Sequence, residues 1–307
     1  DSIGSALCLL REHCRFGKNW KLLDVIIRAF PNYCGRRKRA RPFQHAVAFS
    51  ATGHAGMALL ATCLGASGAQ AEDTRRVEAS ALYQNVTGPY ETWRGVTVSL
   101  LHGQRTADLW RLDATRQSAF GDRGTYLAVS NTRAWTPLWI SEIAVGHGTG
   151  DFFFPAWRYD FNLGRKLLPD QSLVVRVGFT YVQAQQTYRD RAWQLSAAWY
   201  LPATWILESG VRFNRSTPGN VATQRGFIGV TYGTWGATSL SLRYTGGSEG
   251  DQLTDTASTL VDFASNEWRA EWRRWFAPSW GTILVAERYR NATYIRGGLT
   301  LGVFYDW

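Results

Sequence analysis

From residue 72 to residue 307 the chain alternates with a period of two. In Leu299-Thr-Leu301-Gly-Val303-Phe-Tyr305-Asp-Trp307, large apolar side chains fill every odd position. Gly298, Thr300, Gly302 and Asp306 fill the even ones, with Phe304 the exception. Ser239-Leu-Ser241-Leu-Arg243-Tyr-Thr245, Arg176-Val-Gly178-Phe-Thr180-Tyr and Trp193-Gln-Leu195-Ser-Ala197 repeat the habit. Successive side chains of a strand point to opposite faces, so each segment predicts a strand with one apolar and one polar face. No run of about 18 apolar residues occurs, which excludes a bundle of membrane helices. No Cys follows Cys63. That excludes a disulfide scaffold, a cysteine nucleophile and Cys-ligated zinc from this region.

A soluble sandwich also alternates, and three features favour a closed transmembrane barrel over it. The charged members of the polar face suit a wet lumen: Arg111, Asp113, Arg176, Glu208, Arg212, Arg243, Arg269, Glu271 and Arg273. Between them stand Gly178, Ser196, Gly210, Gly229, Ser241 and Gly302. Aromatic residues cluster at strand ends, where interfacial girdles belong: Trp93, Trp139, Trp157, Trp199, Trp235 and Trp280, with Trp135, Tyr188 and Tyr294. The last strand ends on aromatic residues, and Leu301, Val303, Tyr305 and Trp307 resemble the assembly signal of outer-membrane proteins.

Fourteen strand cores are predicted, at 76–86, 92–102, 106–117, 124–133, 138–147, 156–166, 172–183, 189–200, 204–214, 222–232, 236–246, 265–276, 281–289 and 294–307. Twelve and sixteen strands remain as alternatives, and 257–263 reads as a further short strand or an extension. An even count puts both termini in the periplasm. Leu168-Pro169-Asp170, Leu201-Pro202-Ala203, Gly233-Thr-Trp235-Gly236 and Ala277-Pro278-Ser279 then read as periplasmic turns. The stretch from Gly148 to Asp151 onward, Ser216 to Asn220, and Gly246-Gly-Ser-Glu-Gly-Asp251 onward read as external loops. The last lacks the spaced carboxylates of a calcium motif, so a plain flexible loop is expected there.

Residues 57–64, Met-Ala-Leu-Leu-Ala-Thr-Cys-Leu, form a short apolar core. Small residues follow, ending in Ala69-Gln70-Ala71, which marks a signal-peptide cleavage site. Three segments result: a basic extension at 1–56, read either as native or as an over-long start; the signal-peptide core and cleavage site at 57–71; and the barrel at 72–307. Leu60-Ala-Thr-Cys63 offers a weaker lipoprotein alternative. The net charge of +10 suggests an anionic partner at first. Most of it lies in the first 71 residues, in runs such as Arg36-Arg37-Lys38-Arg39, so nucleic acid is not an expected partner.

At Phe154-Pro155-Ala-Trp157-Arg158-Tyr159 the chain begins to resemble a known family. The likeness continues through Lys166-Leu-Leu-Pro169, Gly178-Phe-Thr-Tyr181 and Trp193 to Tyr200. It is similar to the YaiO-family outer-membrane β-barrels over most of 80–307. Those barrels are in turn similar to the C-terminal barrels of exporters of cellulose and poly-N-acetylglucosamine. The resemblance implies a Gram-negative outer membrane and a channel or export component for polysaccharide or envelope material. It also implies a polysaccharide among the partners, beside outer-membrane lipids, lipopolysaccharide and the barrel-assembly machinery.

Two other functions stand beside it: a structural surface barrel without transport, and a lipid-modifying or proteolytic barrel. The mature region has only His102 and His147. They are expected at opposite rims, which separates them by about 25 Å. No catalytic site, metal or cofactor is expected. The run Glu267-Trp-Arg269-Ala-Glu271-Trp-Arg273 reads as a lumen charge ladder or as an Arg-lined path for hydroxyl-rich polymer.

Overall fold

The computed structural model describes residues 73–253 and 259–307. The extension 1–56, the signal-peptide core 57–71 and the cleavage residues Ala69 and Ala71 lie outside the described residues. Fourteen strands form: β1 (Asp73–Val86), β2 (Trp93–Gln104), β3 (Asp108–Ala119), β4 (Asp122–Ala134), β5 (Trp139–Gly148), β6 (Trp157–Leu167), β7 (Leu173–Gln183), β8 (Arg189–Leu201), β9 (Trp205–Thr217), β10 (Val221–Thr234), β11 (Thr238–Leu253), β12 (Thr259–Ala277), β13 (Trp280–Asn291) and β14 (Ile295–Asp306). Each pairs with its sequence neighbours, and β1 pairs with β14 in antiparallel register, Ala79 opposite Val303. The sheet therefore closes, and no edge is left to seek a partner.

The parity of each strand explains the closure. On β2, Val96, Val98 and Leu100 are exposed on the outer wall, while Gly95, Thr97 and Ser99 turn inward. On β14, Leu299, Leu301, Val303 and Tyr305 face out, and Phe304 is buried inside. Apolar side chains thus meet lipid, and polar or small ones fill the interior. Trp307 continues the outward parity and stacks beside Tyr305, with ring centroids 6.3 Å apart. Its backbone N–H donates to the Arg75 carbonyl (3.1 Å).

Both described termini lie at one end, here the terminal end; the opposite is the loop end. Short turns join strands at the terminal end. In one of them Asp170 accepts from the Ser172 hydroxyl (2.8 Å) and N–H (3.2 Å), which holds its carboxyl below the usual range. Of the two readings of 257–263, the extension holds, because residues 259–263 lengthen β12. One expectation about loops changes: the Gly-rich stretch from Gly246 continues β11 as strand. Glu249 is drawn inside to meet Arg225 (3.1 Å), the Tyr289 hydroxyl (3.1 Å) and the Ser265 hydroxyl, and these contacts hold the stretch in the ladder.

Candidate functional site

The interior is layered. In the middle, Glu78 on β1 meets Arg273 (2.7 Å), Arg76 (3.5 Å) and Arg111 (3.9 Å). Arg273 also pairs with Glu271 (2.7 Å), Glu271 with Arg269 (3.1 Å), and Arg269 with Glu287 (2.7 Å). Arg111 holds Asp113 (2.9 Å), and Ser99 bridges the two. A carboxylate and a guanidinium taken out of bulk water are tolerable only when paired, and nearly every charge in this chain touches two partners. Arg269, Glu271 and Arg273 sit two residues apart on β12, so one strand presents three successive charges to the same space.

A second polar group lines the far wall. Arg158 grips Asp160 with two bonds (2.7 and 3.0 Å), Thr180 donates to Asp160 (2.8 Å), and Arg212 donates to Thr180 (3.2 Å). Arg243 lies over the Phe227 ring at 3.8 Å, and both it and Glu208 pass close to Gly229. Arg176 lies over Gly164 in the same way. Arg111, Asp113, Arg176, Glu208, Arg212, Arg243, Arg269, Glu271 and Arg273 therefore all stand on inward parity, and Arg243, opposite Arg269 across β11 and β12, adjoins the central network.

An aromatic layer lies across the loop end. The β5–β6 connection folds into the barrel and buries Phe152, Phe153 and Phe154. Phe153 meets Trp93 edge-on at 5.1 Å, Trp93 meets Phe120 at 5.0 Å, and Phe120 meets Tyr294 at 5.6 Å. Phe154 stacks on Tyr126 at 5.6 Å, and Ala184 and Tyr188 join from the β7–β8 loop. One carboxylate seats the inserted loop. Asp122 accepts backbone N–H bonds from Arg123 (2.6 Å), Phe153 (2.7 Å), Phe152 (2.9 Å) and Asp151 (3.1 Å). Gly124 and Gly148 make the approach feasible: a Cβ on Gly124 would strike the Thr149 carbonyl, and one on Gly148 the Pro155 carbonyl and Phe154.

A second stack occupies the terminal end. Arg76 is fully buried and lies over Trp235 (4.2 Å) and Phe304 (4.4 Å), with both guanidinium branches on Asp306 (2.6 and 2.8 Å). Trp275 donates to the same carboxylate (3.1 Å), and Arg105 covers the Trp235 ring at 4.4 Å. Cation–π contacts shielded from water are worth about 2 kcal/mol each, so this stack is a substantial anchor.

These layers correct part of the expected girdle. Trp93 is 1% exposed and belongs to the aromatic layer, because it shares parity with Gly95, Thr97 and Ser99 rather than with Val96 and Val98. Trp235 turns inward from the β10–β11 turn because Arg76, Arg105 and Trp275 give its ring polar and aromatic partners. Tyr188 and Tyr294 are likewise inside. Trp139, Trp157, Trp199 and Trp280 are exposed on the outer wall near strand ends. His102 and His147 both carry outward parity. His147 donates from Nδ1 to the Ala156 carbonyl (2.6 Å) and packs on Trp157 at 4.6 Å. Among the described residues no three His, Cys, Asp or Glu side chains converge as metal ligands. The seating role of Asp122, the buried place of Arg76, and the inward packing of the Phe loop and Trp275 carry no signal in the sequence pattern.

Between the two layers lies a cavity of about 160 Å3. Ser80, Thr97, Thr115, Gln117 and the Glu78–Arg273 network line it, and Phe153 and Trp93 border it. The buried Trp93 Nε1 has no hydrogen-bond partner among the described residues.

A closed antiparallel barrel with an apolar outer wall and a charged interior is the architecture of an outer-membrane protein. Comparison with known proteins narrows this. A family model described as the YaiO membrane beta barrel domain matches residues 74–252, more than half of the chain, and the chain belongs to that family. It is a protein of the Gram-negative outer membrane. No curated protein matches it in sequence. Among solved structures, the CymD monoaromatic hydrocarbon channel superposes with a TM-score of 0.51 at 6% identity, over 78% of this chain and 88% of CymD. The outer membrane protein Omp33 of Acinetobacter baumannii gives 0.48 at 10% identity, over 78% of this chain and 100% of Omp33. OccK3 of Pseudomonas aeruginosa gives 0.41 at 12% identity, over 77% and 96%. At such identities the CymD likeness speaks to the fold alone.

Proposed function

We propose that the barrel is a gated channel or export component for polysaccharide or similar hydroxyl-rich envelope material, with its two interior layers as the gates. The observation that carries this reading is the interior cavity. Its charges are mutually paired, so it repels neither sign strongly, and its hydroxyls and Gln117 offer hydrogen bonds to an uncharged polar solute. Trp93 and Phe153 present aromatic surface beside them, and the unpaired Trp93 Nε1 offers one more donor. Aromatic surface with planar Arg forks matches sugar rings and their diols. The alternative is a structural barrel without flux, which the buried layers at both ends favour.

Single-channel recording of the purified chain in planar bilayers separates the two. The native barrel is expected to be mostly closed with brief openings, and Arg243→Ala, Arg269→Ala and Arg273→Ala together are expected to raise its conductance. Soluble hexose or hexosamine oligomers are expected to shorten the openings. A membrane that stays silent with the native chain and with the triple variant supports the structural barrel instead.

A further inference from the structure

The inward arginines of the central network, of Arg158 and of Arg76 all have carboxylate partners. The outer wall differs. Arg94 on β2, Arg116 on β3 and Arg123 on β4 are exposed on outward parity near the loop end. Arg94 sits within three residues of its strand's loop-side end, as do Arg116 and Arg123, which places them within roughly 10 Å of that rim. Arg94 leans over the Tyr83 ring at 5.5 Å. Among the described residues none of the three makes an ion pair. A guanidinium on a lipid-facing wall is costly unless it reaches an anion at the membrane surface.

Directly beneath them the wall is hollow. A groove of about 870 Å3 runs down from the three arginines. Its floor is Ala81, flanked in register by Val96 on one side and Leu301 on the other, with Leu299 and Tyr83 above. The small Ala81 side chain between larger neighbours leaves an apolar trough there. Arg189, Arg191 and Arg215 elsewhere on the loop-end wall face outward too, but they do not line this groove.

We infer that this groove binds lipid A, the phosphorylated, multiply acylated glycolipid of the outer leaflet, with Arg94, Arg116 and Arg123 on its phosphates and an acyl chain over Ala81. Three cations above an apolar trough match a ligand with two phosphates above several chains. Arg forks suit phosphate, and charge-assisted bonds of this kind are among the strongest available. The loop end faces the outer leaflet in a barrel with short periplasmic turns, so the arginines stand at phosphate depth. The site is on the outer wall and is independent of the interior reading.

The test counts lipids bound to the purified full chain in detergent by native mass spectrometry, with bisphosphorylated lipid A as the probe. Monophosphorylated lipid A and phosphatidylglycerol serve as comparators. The native chain is expected to prefer the bisphosphorylated form. Arg94→Gln, Arg116→Gln and Arg123→Gln together are expected to weaken it about thirtyfold or more, since each loses charged hydrogen bonds. Ala81→Trp, which fills the trough and keeps the arginines, is expected to weaken it about tenfold. Arg133→Gln, Arg165→Gln and Arg274→Gln, on the outer wall at the terminal end, are expected to leave binding unchanged. Should the triple variant fail to fold, Ala81→Trp and Arg116→Gln alone carry the comparison. Native-like binding by the groove variants overturns the inference, and so does equal binding of phosphatidylglycerol. Channel conductance is expected to stay the same in all of them, so the result bears on this site alone.

Discussion

Asp122→Ala barrels are expected to open roughly several hundredfold more often than native barrels, because the carboxylate seats one of the two layers that close the passage. Among the described residues, Asp122 alone ties the β5–β6 loop backbone to the wall at three successive N–H groups, those of Asp151, Phe152 and Phe153. Hydrogen bonds to a charged acceptor contribute about 1.5–3 kcal/mol each. Losing three of them removes at least about 4 kcal/mol from the seated state, a shift of roughly a thousandfold in the seated-to-released ratio. The aromatic packing of Phe152, Phe153 and Phe154 remains and limits the effect. Asp122→Asn keeps the shape but not the charge, and is expected to fall between. The measurement is open probability in planar bilayers, with Trp93 fluorescence as a second report, because Phe153 lies against that ring. An unchanged open probability and an unchanged emission in Asp122→Ala would falsify a seating role for the carboxylate.

Arg273→Met is expected to destabilise the folded barrel by about 3–5 kcal/mol, the range seen when one partner of a buried ion pair is removed. Arg273 makes the shortest contact to both Glu78 and Glu271, at 2.7 Å each. Without it Glu78 keeps only its longer contacts to Arg76 and Arg111, and Glu271 only Arg269, so both buried carboxylates are left under-paired. Adding Glu78→Gln to Arg273→Met is expected to recover part of the loss, because it removes one of the stranded charges. Urea unfolding of the refolded chain, followed by the fluorescence change, gives both numbers. A double variant less stable than the single one would mean that the network is not held by charge pairing.

The wall was legible in the sequence because a strand writes its two faces into alternate residues. Val96, Val98 and Leu100 against Gly95, Thr97 and Ser99 state the outer and inner sides of β2 without any structure. The inward charges of β12 followed from the same parity. What parity cannot state is where a residue goes once the strand stops. Trp235 sits in a turn, and its inward direction is set by Arg76 and Arg105, far away in sequence. Phe152, Phe153 and Phe154 carry no period, and the carboxylate that seats them belongs to Asp122, thirty residues earlier. Trp93 is a different lesson. Its parity is inward, and position at a strand end alone does not place an aromatic residue at the membrane interface.

The aromatic layer at the loop end and the Arg76 stack at the terminal end stand in series along one axis. Two barriers in series leak only when both are displaced together. If each is out of place about one part in a thousand of the time, independently, the passage is continuous for about one part in a million. A cell can then keep many copies of such a barrel in its envelope without admitting detergents or antibiotics. A solute that loosens one layer by binding behind it would pass without ever opening a hole.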